Sequence, residues 1–320
     1  MNPRYAGIDV SKGTLDVALT DADGRHAMAW DMPNNREGIR VLVRQLRCRT
    51  VGLVVLEASG GYERAVVCAL SKSAVPTFVA NPLRTRQFAQ SRGQLAKTDR
   101  LDARMLADYG RANNPLPRLL LDKTGRHLQG LVIRRLQLVA QRAAEKNRLS
   151  GADPCYKPSL RRSVNWLNGE VKLVTKEIKK LIASQPTLRT KDELLRSIPG
   201  VGPAVSAALL ALLPELGRIE KGQLAALVGV APFPADSGLK RGKRMIQGGR
   251  RLVRSALYMG ALVGKRYNPA LAALYTRLKG ANKPTKVALV ACMRKLLNVA
   301  NAIVRDRRPW TATPLERPTI

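Results

Sequence analysis

Two apolar segments that read as strands each end in an acidic residue, and this pattern constrains the fold more than any other feature. Residues 4–9 predict a short strand that ends in Asp9. Residues 51–57 predict a continuous apolar strand in the centre of a sheet, and it ends in Glu57. Adjacent central strands would bring both carboxylates to one sheet edge. Because carboxylate oxygens bind hard divalent cations, the pair predicts a metal site.

A later segment supplies two more acidic residues. Lys97-Thr98-Asp99-Arg100-Leu101-Asp102-Ala103 predicts the start of a helix that Thr98 caps. Asp99 and Asp102 are three residues apart and share a helical face. Each of the four acids also has a purely structural interpretation, at a strand end or at a helix N-terminus. Taken together they favour a metal-binding cluster, because carboxylates that repel each other need a cation.

The order of predicted elements indicates an N-terminal α/β domain. Residues 14–20 and 25–31 predict two further strands, joined by the turn Asp23-Gly24. Helices at 36–47 and 61–73 and a strand at 75–80 complete β-α-β units around the segment that ends in Glu57. Three hairpin-linked strands followed by such units indicate a ribonuclease-H-like arrangement.

The segment Gly7-Ile8-Asp9-Val10-Ser11-Lys12 also fits the first phosphate turn of an actin-like or sugar-kinase-like ATPase. That alternative requires a second phosphate turn and an adenosine pocket, and the sequence shows neither.

The charge of the chain is +33 and is unevenly distributed. Residues 1–115 hold 17 Lys and Arg against 11 Asp and Glu, whereas residues 116–320 hold 39 against 12. Such an excess favours phosphate polymers as partners. A basic membrane-surface protein is the other interpretation, but no long apolar span or lipidation signal accompanies the charge. The four scattered cysteines have no paired spacing and fit reduced, partly buried thiols in a cytosolic protein.

The middle of the chain predicts two long helices, at 119–149 and 158–184. Apolar residues of the second follow a heptad seam: Leu160, Val164, Leu167, Val171, Val174, Ile178 and Leu181. The seam predicts an antiparallel helical hairpin or a dimerising coiled coil. An ordinary amphipathic pair within one subunit is the alternative.

The last third predicts an all-α domain that contains a helix-hairpin-helix. Ile198-Pro199-Gly200-Val201-Gly202 makes its turn, in which Gly200 and Gly202 would let the backbone approach a phosphate. A glycine-bent turn without a ligand is the alternative. Further helices are predicted at 250–266, 268–279 and 284–305.

A basic, glycine-rich loop interrupts that domain. No acidic residue occurs from Ser237 to Arg305. Seven basic residues crowd positions 240–254, namely Lys240, Arg241, Lys243, Arg244, Arg250, Arg251 and Arg254. Guanidinium groups of this density can stabilise charge on a phosphoryl group under attack. By composition alone, Ser237 is a turn serine rather than a nucleophile.

Several motifs in order resemble those of one protein family. They are Gly7-Ile8-Asp9-Val10-Ser11-Lys12, Leu56-Glu57-Ala58-Ser59-Gly60-Gly61-Tyr62, Lys97–Ala103, Ile198–Gly202, Ser237-Gly238, Arg241-Gly242-Lys243-Arg244 and Leu252–Tyr258. Over almost the whole length the chain resembles the one-ten family of bacterial insertion-sequence transposases, relatives of the Piv DNA invertase.

The resemblance implies a RuvC-like domain whose DEDD tetrad, with magnesium or manganese bound, maps onto Asp9, Glu57, Asp99 and Asp102. It implies a separate transposase domain whose catalytic serine maps onto Ser237 and forms a phosphoserine link to a cleaved strand. It further implies a non-coding bridge RNA that pairs with donor and target DNA. Dimers that assemble into tetramers are implied too, with an active site shared between subunits.

The resulting prediction has four segments and one set of nucleic-acid contacts. The segments are a RuvC-like domain at 1–117, a helical linker at 118–188 that dimerises, a transposase domain at 189–306 and a tail at 307–320. Predicted contacts with nucleic acid are Lys12, Lys97, Gly200, Gly202, Lys240, Arg241, Lys243, Arg244, Arg250, Arg251 and Arg254. Two alternatives stay open: a metal-dependent RuvC-like junction nuclease without a covalent intermediate, and a non-catalytic nucleic-acid-binding protein.

Overall fold

The chain forms two compact units in its computed structural model. The structure describes residues 4–94, 98–115, 117, 121–234, 236–238, 242 and 244–311. We call Met1–Leu120 the carboxylate unit and Leu121–Ile320 the helical unit.

A five-stranded mixed sheet forms the centre of the carboxylate unit. Its strands and helices, in chain order, are β1 (Arg4–Val10), β2 (Thr14–Thr20), β3 (His26–Pro33), α1 (Arg36–Cys48), β4 (Val51–Glu57), α2 (Arg64–Lys72), β5 (Thr77–Ala80), α3 (Pro82–Ser91) and α4 (Asp99–Asn113). The strand order is β3-β2-β1-β4-β5. The first three strands pair antiparallel, while β4 runs parallel to both β1 and β5.

Helices cover both faces of this sheet. On one face α1 and α2 pack over buried side chains such as Ile8 and Leu56. On the other face α4 packs against Leu53 and Val55, with Tyr109 between Phe78 and Phe88. The predicted N-terminal α/β domain is thus confirmed, and its order is consistent with a ribonuclease-H-like start. Helix α3 was not predicted, and α2 is shorter than the predicted 61–73.

The helical unit contains eight helices and one short ribbon among its described residues. They are α5 (Lys123–Ser150), α6 (Lys157–Ser184), α7 (Pro186–Arg196), α8 (Pro203–Leu212), α9 (Lys221–Val228), β6 (Pro232–Phe233), β7 (Met245–Ile246), α10 (Arg251–Tyr267), α11 (Pro269–Gly280) and α12 (Thr285–Asp306). The predicted helical C-terminal region is confirmed. The antiparallel β6–β7 ribbon departs from the all-α expectation.

The long helices α5 and α6 form an antiparallel pair within the chain. Arg135 Nε donates to Thr175 Oγ1 at 2.9 Å, and Arg142 Nη1 donates to Asn168 Oδ1 at 3.1 Å. Most of the predicted seam of α6 is buried, from Val164 to Ile178. At its end Ile182 takes the buried position expected of Leu181, because a straight helix drifts relative to a heptad repeat.

Helix α12 runs through the main core of the helical unit. Among the described helices it is the one that is long and apolar enough by composition to cross a membrane, yet half of its most apolar stretch is buried inside the protein. It packs against α7, α9, α10 and α11, as a core helix does. Beyond it, Trp310 packs on the same core and its backbone N–H donates to Ser197 Oγ at 2.8 Å.

Candidate catalytic site

Asp9 and Glu57 end two adjacent parallel strands of the carboxylate unit. In the register of β1 and β4, Ile8 pairs with Leu56, which places Asp9 and Glu57 side by side at the same sheet edge. In each strand the residue next to the acid is buried under α1 and α2. Because successive side chains of a strand point to opposite faces of the sheet, both carboxylates lie on the other face, which α4 covers. The predicted shared edge is therefore present.

Helix α4 begins over this edge. Thr98 caps it, with Thr98 Oγ1 accepting from the Leu101 N–H at 3.3 Å, so Asp99 and Asp102 fall in its first turn. Gly7 makes the close approach possible, since a Cβ there would collide with the backbone of Ala103. The glycine in this motif thus has a packing role, and the helix carries its acids towards the end of β1.

Electrostatics show that the four acids are neighbours, and we call them the carboxylate cluster. The pKa of Asp9 is raised to about 6 by burial, then by the charges of Asp102 and Asp99, and least by Glu57. The Val10 N–H, which donates to Asp9 Oδ1 at 3.0 Å, opposes the shift. A carboxylate among three others therefore keeps its proton to a higher pH than a free one, unless a cation compensates the negative charge.

The donor set of the cluster suits a hard divalent cation. Its members offer only carboxylate oxygens, the ligands that magnesium and manganese prefer. Within the described ranges, no three Asp, Glu, His or Cys side chains are arranged as a site ready to hold a metal ion. The four acids thus fit the cation by chemistry and charge but are not arranged as a ready site, and their assignment as ligands stays a prediction.

Sequence reasoning missed two further acids beside the cluster. The hairpin register places Asp16 of β2 opposite Asp9, and Asp31 of β3 opposite Asp16. Burial raises the pKa of Asp16, and the charges of Asp99 and Asp31 add to the rise while Arg100 opposes it. Pairing the predicted strands about the turn at Ser11–Gly13 would have revealed this row.

Neighbouring polar groups fix Glu57 and the turn after it. The buried Thr85 donates its hydroxyl to Glu57 Oε2 at 2.9 Å. Two glycines with positive φ, Gly60 and Gly61, then form a tight turn. Glu63 Oε2 accepts from the Ser59 N–H, the Ser59 hydroxyl and the Gly61 N–H at 2.8–3.2 Å. Burial would raise the pKa of Glu63, but these hydrogen bonds outweigh it and lower the pKa.

Ser237 lies in the helical unit, in the loop that joins β6 to β7, which we call the serine loop. The ribbon pairs Pro232 with Ile246 and Phe233 with Met245, so the loop begins and ends at adjacent points. Ser237 is exposed, and the following Gly238 has a positive φ of 53°. Lys240, Arg241 and Lys243 lie outside the described residues, as does Lys97.

The base of the serine loop is held tightly against the helices. Gly229 and Gly249 both have positive φ, and a Cβ on Gly249 would collide with the backbone of Gly229. Arg254 Nη1 donates to the carbonyl of Gly248. Glycine is needed here because two backbone segments touch.

Arg250 is committed to contacts within the protein. Its guanidinium donates to both oxygens of Glu215 at 2.5 and 2.6 Å and to the Leu212 carbonyl at 3.0 Å. The two side chains are only 22% and 13% exposed. By contrast, Arg251 is exposed at the start of α10. A contact between Arg250 and nucleic acid stays a prediction, and it would require this ion pair to open.

The turn between α7 and α8 shows different surroundings for its two predicted phosphate contacts. Gly200 has a φ of 101°, and a Cβ there would lie 2.7 Å from the Gly260 carbonyl oxygen of α10. Packing against α10 therefore requires glycine at position 200. Gly202 is exposed, has open space where a Cβ would lie, and is the N-cap residue directly before α8. Lys12 is likewise exposed, in the turn after β1.

Comparison with known proteins places both regions in one family. A DEDD-type IS110 family model described as a transposase matches residues 6–152, which include the carboxylate cluster. A second, described as "Transposase IS116/IS110/IS902 family", matches residues 192–276, which include Ser237.

Curated relatives match the chain nearly from end to end. The pilin gene-inverting protein of Moraxella lacunata is 28% identical across 97% of this chain and 98% of that protein. The corresponding protein of Moraxella bovis shows the same identity and coverage. A 44.8 kDa protein of insertion element IS116 from Streptomyces clavuligerus is 26% identical across 97% of this chain and 96% of its own length.

These matches argue against two of the interpretations that the sequence left open. A kinase-like ATPase and a binding protein without catalytic activity both disagree with a transposase match that spans the two candidate regions. The chain belongs to the IS110 family of insertion-sequence transposases and is an enzyme of DNA recombination.

Proposed function

We propose that the protein is a site-specific recombinase that moves its own insertion element under the guidance of a bridge RNA. One observation carries the proposal. Four interacting carboxylates meet at a sheet edge in a chain whose second unit presents an exposed serine in a strongly basic loop. The first feature suits phosphate chemistry with a divalent cation, and the second suits a nucleophile for a DNA phosphorus.

The proposed step is a transesterification at Ser237. Its Oγ forms a bond to the phosphorus, the bond between phosphorus and the 3′ oxygen breaks, and the strand stays attached through phosphoserine. The serine proton leaves and the 3′ oxygen gains one. Attack by a 3′ hydroxyl of another strand reverses the step and rejoins DNA. Because the phosphoester bond is conserved, no other energy source is needed.

The carboxylate cluster would hold magnesium, or manganese in its place, through Asp9, Glu57, Asp99 and Asp102. When bound, such a cation polarises a phosphate and stabilises the departing oxygen. The contribution of the protein is the fixed position of the four acids on β1, β4 and α4, with Thr85 orienting Glu57.

Basic and backbone groups of the helical unit would bind the DNA backbone. Among the residues that the structure describes, the candidates for phosphate contacts are Arg244, Arg251 and Arg254. The predicted contacts Lys240, Arg241 and Lys243 belong to the same segment of the sequence. The exposed start of α8 at Gly202 fits the phosphate side of a helix-hairpin-helix, because unpaired N–H groups there favour an anion.

Sequence choice would come from RNA. Base pairing between a bridge RNA and both DNA partners leaves the protein to read backbone shape, as in other RNA-guided enzymes. The strong excess of basic residues and the small aromatic content, 4%, fit backbone contacts better than stacking on many bases. The enzyme would act in the bacterial cytoplasm, at the nucleoid.

A dimer through α6 is part of the proposal. Trp166 and Leu173 lie seven residues apart on this helix and are 59% and 57% exposed. A heptad spacing places both on one side, where a second copy could cover them. Trp166→Glu would then shift the protein towards monomer in analytical ultracentrifugation, and an unchanged mass would remove this part of the proposal.

The deciding experiment is to trap a denaturation-resistant protein–DNA adduct and map it. Wild-type protein, with DNA of its element and the RNA transcribed from it, should form an adduct on Ser237. Ser237→Ala should form none and should cleave no strand, whereas Ser159→Ala, at an exposed serine of α6, should behave like the wild type.

A metal-dependent nuclease is the second candidate. It is favoured by one observation: among the described residues, no base is hydrogen-bonded to the Ser237 hydroxyl. Such an enzyme would use water in place of the serine. Strand cleavage that persists in Ser237→Ala would support it and refute the covalent mechanism.

A further inference from the structure

Asp236 is the one acidic residue between Glu220 and Asp306, and it comes directly before Ser237. A carboxylate beside the proposed nucleophile repels an incoming phosphate and weakens the attraction of the surrounding cations. Electrostatics alone would therefore favour a neutral residue at this position. The acid needs another reason to be there.

The contacts of Asp236 supply that reason. Its Oδ1 accepts from the Gly242 N–H at 2.9 Å. Arg244 donates to both carboxylate oxygens, at 3.2 Å from Nη2 to Oδ2 and at 3.4 Å from Nη1 to Oδ1. One carboxylate thus connects the two sides of the serine loop, a short distance beyond the last ribbon pair, Phe233 with Met245.

The connection governs geometry more than stability. The side chains of Arg244 and Asp236 are 52% and 39% exposed, and ion pairs this open add little to the stability of a fold. A two-point contact nevertheless fixes the direction of a carboxylate and of the backbone that carries it. The next residue on that backbone is Ser237, and the turn at Gly238 follows at once.

Arg244 remains accessible in this arrangement. Half of its side chain is exposed while two of its nitrogens contact Asp236. The guanidinium can therefore contact a phosphate while it stays bound to the loop. Asp236 would place a cation and a hydroxyl in a fixed relation, the arrangement that attack on a phosphodiester requires.

We propose that Asp236 is a positioning residue for Ser237. By binding the Gly242 N–H and Arg244, its carboxylate closes the serine loop and fixes the backbone from which the hydroxyl attacks. This inference rests on the proposed nucleophilic role of Ser237, and it assigns Asp236 no contact with the reacting atoms.

The test measures how fast the full-length protein forms the Ser237 adduct at saturating DNA, with element DNA and its transcript as probes. Asp236→Ala loses every contact, Asp236→Asn keeps an acceptor for Gly242 but loses the charge, and Asp236→Glu keeps the charge. We expect adduct formation to slow by about 100-fold in the first and about 10-fold in the second. Asp236→Glu should stay within a few-fold of the wild type.

The sign of the effect separates positioning from charge. If Asp236 acted only through its charge, Asp236→Ala and Asp236→Asn would react equally and faster than the wild type. DNA affinity and melting temperature should change little, which distinguishes positioning from a general folding role. The control is Asp153→Asn, because Asp153 also accepts a backbone hydrogen bond in an exposed loop of this unit, from Cys155 at 2.9 Å.

Each failure has its own signature. A wild type that forms no adduct on Ser237 refutes the proposed function, and this inference with it. A wild-type adduct together with Asp236→Ala reacting at the wild-type rate, or losing stability and DNA binding in parallel with rate, refutes the inference alone.

Discussion

The carboxylate cluster and the serine loop are built in opposite ways. The cluster stands on two central strands and a helix that packs directly on the sheet, so its acids take their positions from the hydrophobic core. The serine loop is an exposed connection between strands of two residues each, and polar contacts hold it. The acids that would hold a cation are thus fixed by the core, whereas the loop that carries the proposed nucleophile is exposed and is held by a few polar contacts.

The same kind of contact occurs beside the carboxylate cluster and in the serine loop. A side-chain carboxylate closes a glycine-containing turn next to the proposed chemistry: Glu63 after Glu57, and Asp236 before Ser237. Glu63 binds groups within four residues of itself, whereas Asp236 reaches across to Gly242 and Arg244. The serine loop therefore depends on one longer-range contact, and this makes it the more sensitive of the two to substitution.

The largest effect should follow the loss of one acid from the core-fixed site. We expect Asp102→Asn to lower the rate of strand cleavage by about 10² to 10³-fold, because a ligand for the cation is lost while the helix remains. Single-turnover cleavage of element DNA measures this. Glu37→Gln, at an exposed acid of α1, is the control. Cleavage at the wild-type rate by Asp102→Asn would show that the cluster is not catalytic.

The same contrast explains what the sequence could predict. Strand ends at Asp9 and Glu57 follow from apolar runs, and the α4 acids follow from a capping signal, because local patterns fix these elements. The ribbon pairing of Phe233 with Met245 and the bridge from Asp236 to Arg244 depend on a long loop closing upon itself. No periodicity in the sequence encodes such a closure.

Packing also changed the meaning of some predicted residues. Arg250 looked like any other cation of a basic loop, yet its partner, Glu215, lies 35 positions earlier in the chain. Gly200 suited a phosphate turn, but it also allows contact with Gly260 on a helix far along the sequence. Long-range partners of this kind leave no local signal, so composition alone treats buried and exposed members of a charged segment alike.

The second prediction compares the adjacent residues Arg250 and Arg251. It tests whether each positive charge stabilises the fold or binds the DNA. Arg250→Gln leaves the Glu215 carboxylate largely buried without its partner, so the free energy of unfolding should fall by about 2–4 kcal/mol. Arg251→Gln should change that free energy by less than about 0.5 kcal/mol. Urea unfolding of both variants measures the difference.

Salt dependence of DNA binding completes this comparison. Arg251→Gln should reduce the slope of log K against log salt by about 1, because one phosphate contact is lost. Arg250→Gln should leave the slope unchanged. A reduced slope for Arg250→Gln would instead mean that the pair with Glu215 opens when DNA binds.

A third, smaller effect concerns the orientation of Glu57. Thr85→Val keeps the shape of a buried side chain but removes the hydroxyl that donates to Glu57 Oε2. We expect strand cleavage to slow by about tenfold, as is usual when a group that orients a metal ligand is lost. Thr77→Val is the matched control, since the buried Thr77 hydroxyl donates to the Val75 carbonyl, away from the cluster. Equal rates for the two variants would show that Glu57 needs no orientation.

The smallest effect is a pH dependence of stability that arises from Asp9. Its pKa is about 6 in the folded protein and about 3.8 when unfolded, so between these values the folded state binds the additional proton. Without divalent cations, stability should therefore fall as pH rises from about 4 to about 6 and stay low above that. Because Asp9 is only partly buried, the loss is on the order of 1 kcal/mol.

Magnesium and one substitution should each remove this pH dependence. A bound cation compensates the charge of the cluster, so adding magnesium at pH 7 should restore the lost stability. Asp9→Asn should lose most of the response to pH and to magnesium, with a remainder from the raised pKa of Asp16, whereas Asp21→Asn, at an exposed acid paired with Arg4, should respond like the wild type. Hydrogen exchange of the β1 amides, with EDTA or with magnesium, reports on this unit. If the protection of these amides, corrected for the intrinsic rise of amide exchange with pH, were the same at pH 4.5 and pH 7 in EDTA, the cluster would carry no stored repulsion, and the core would hold its four acids together without a cation.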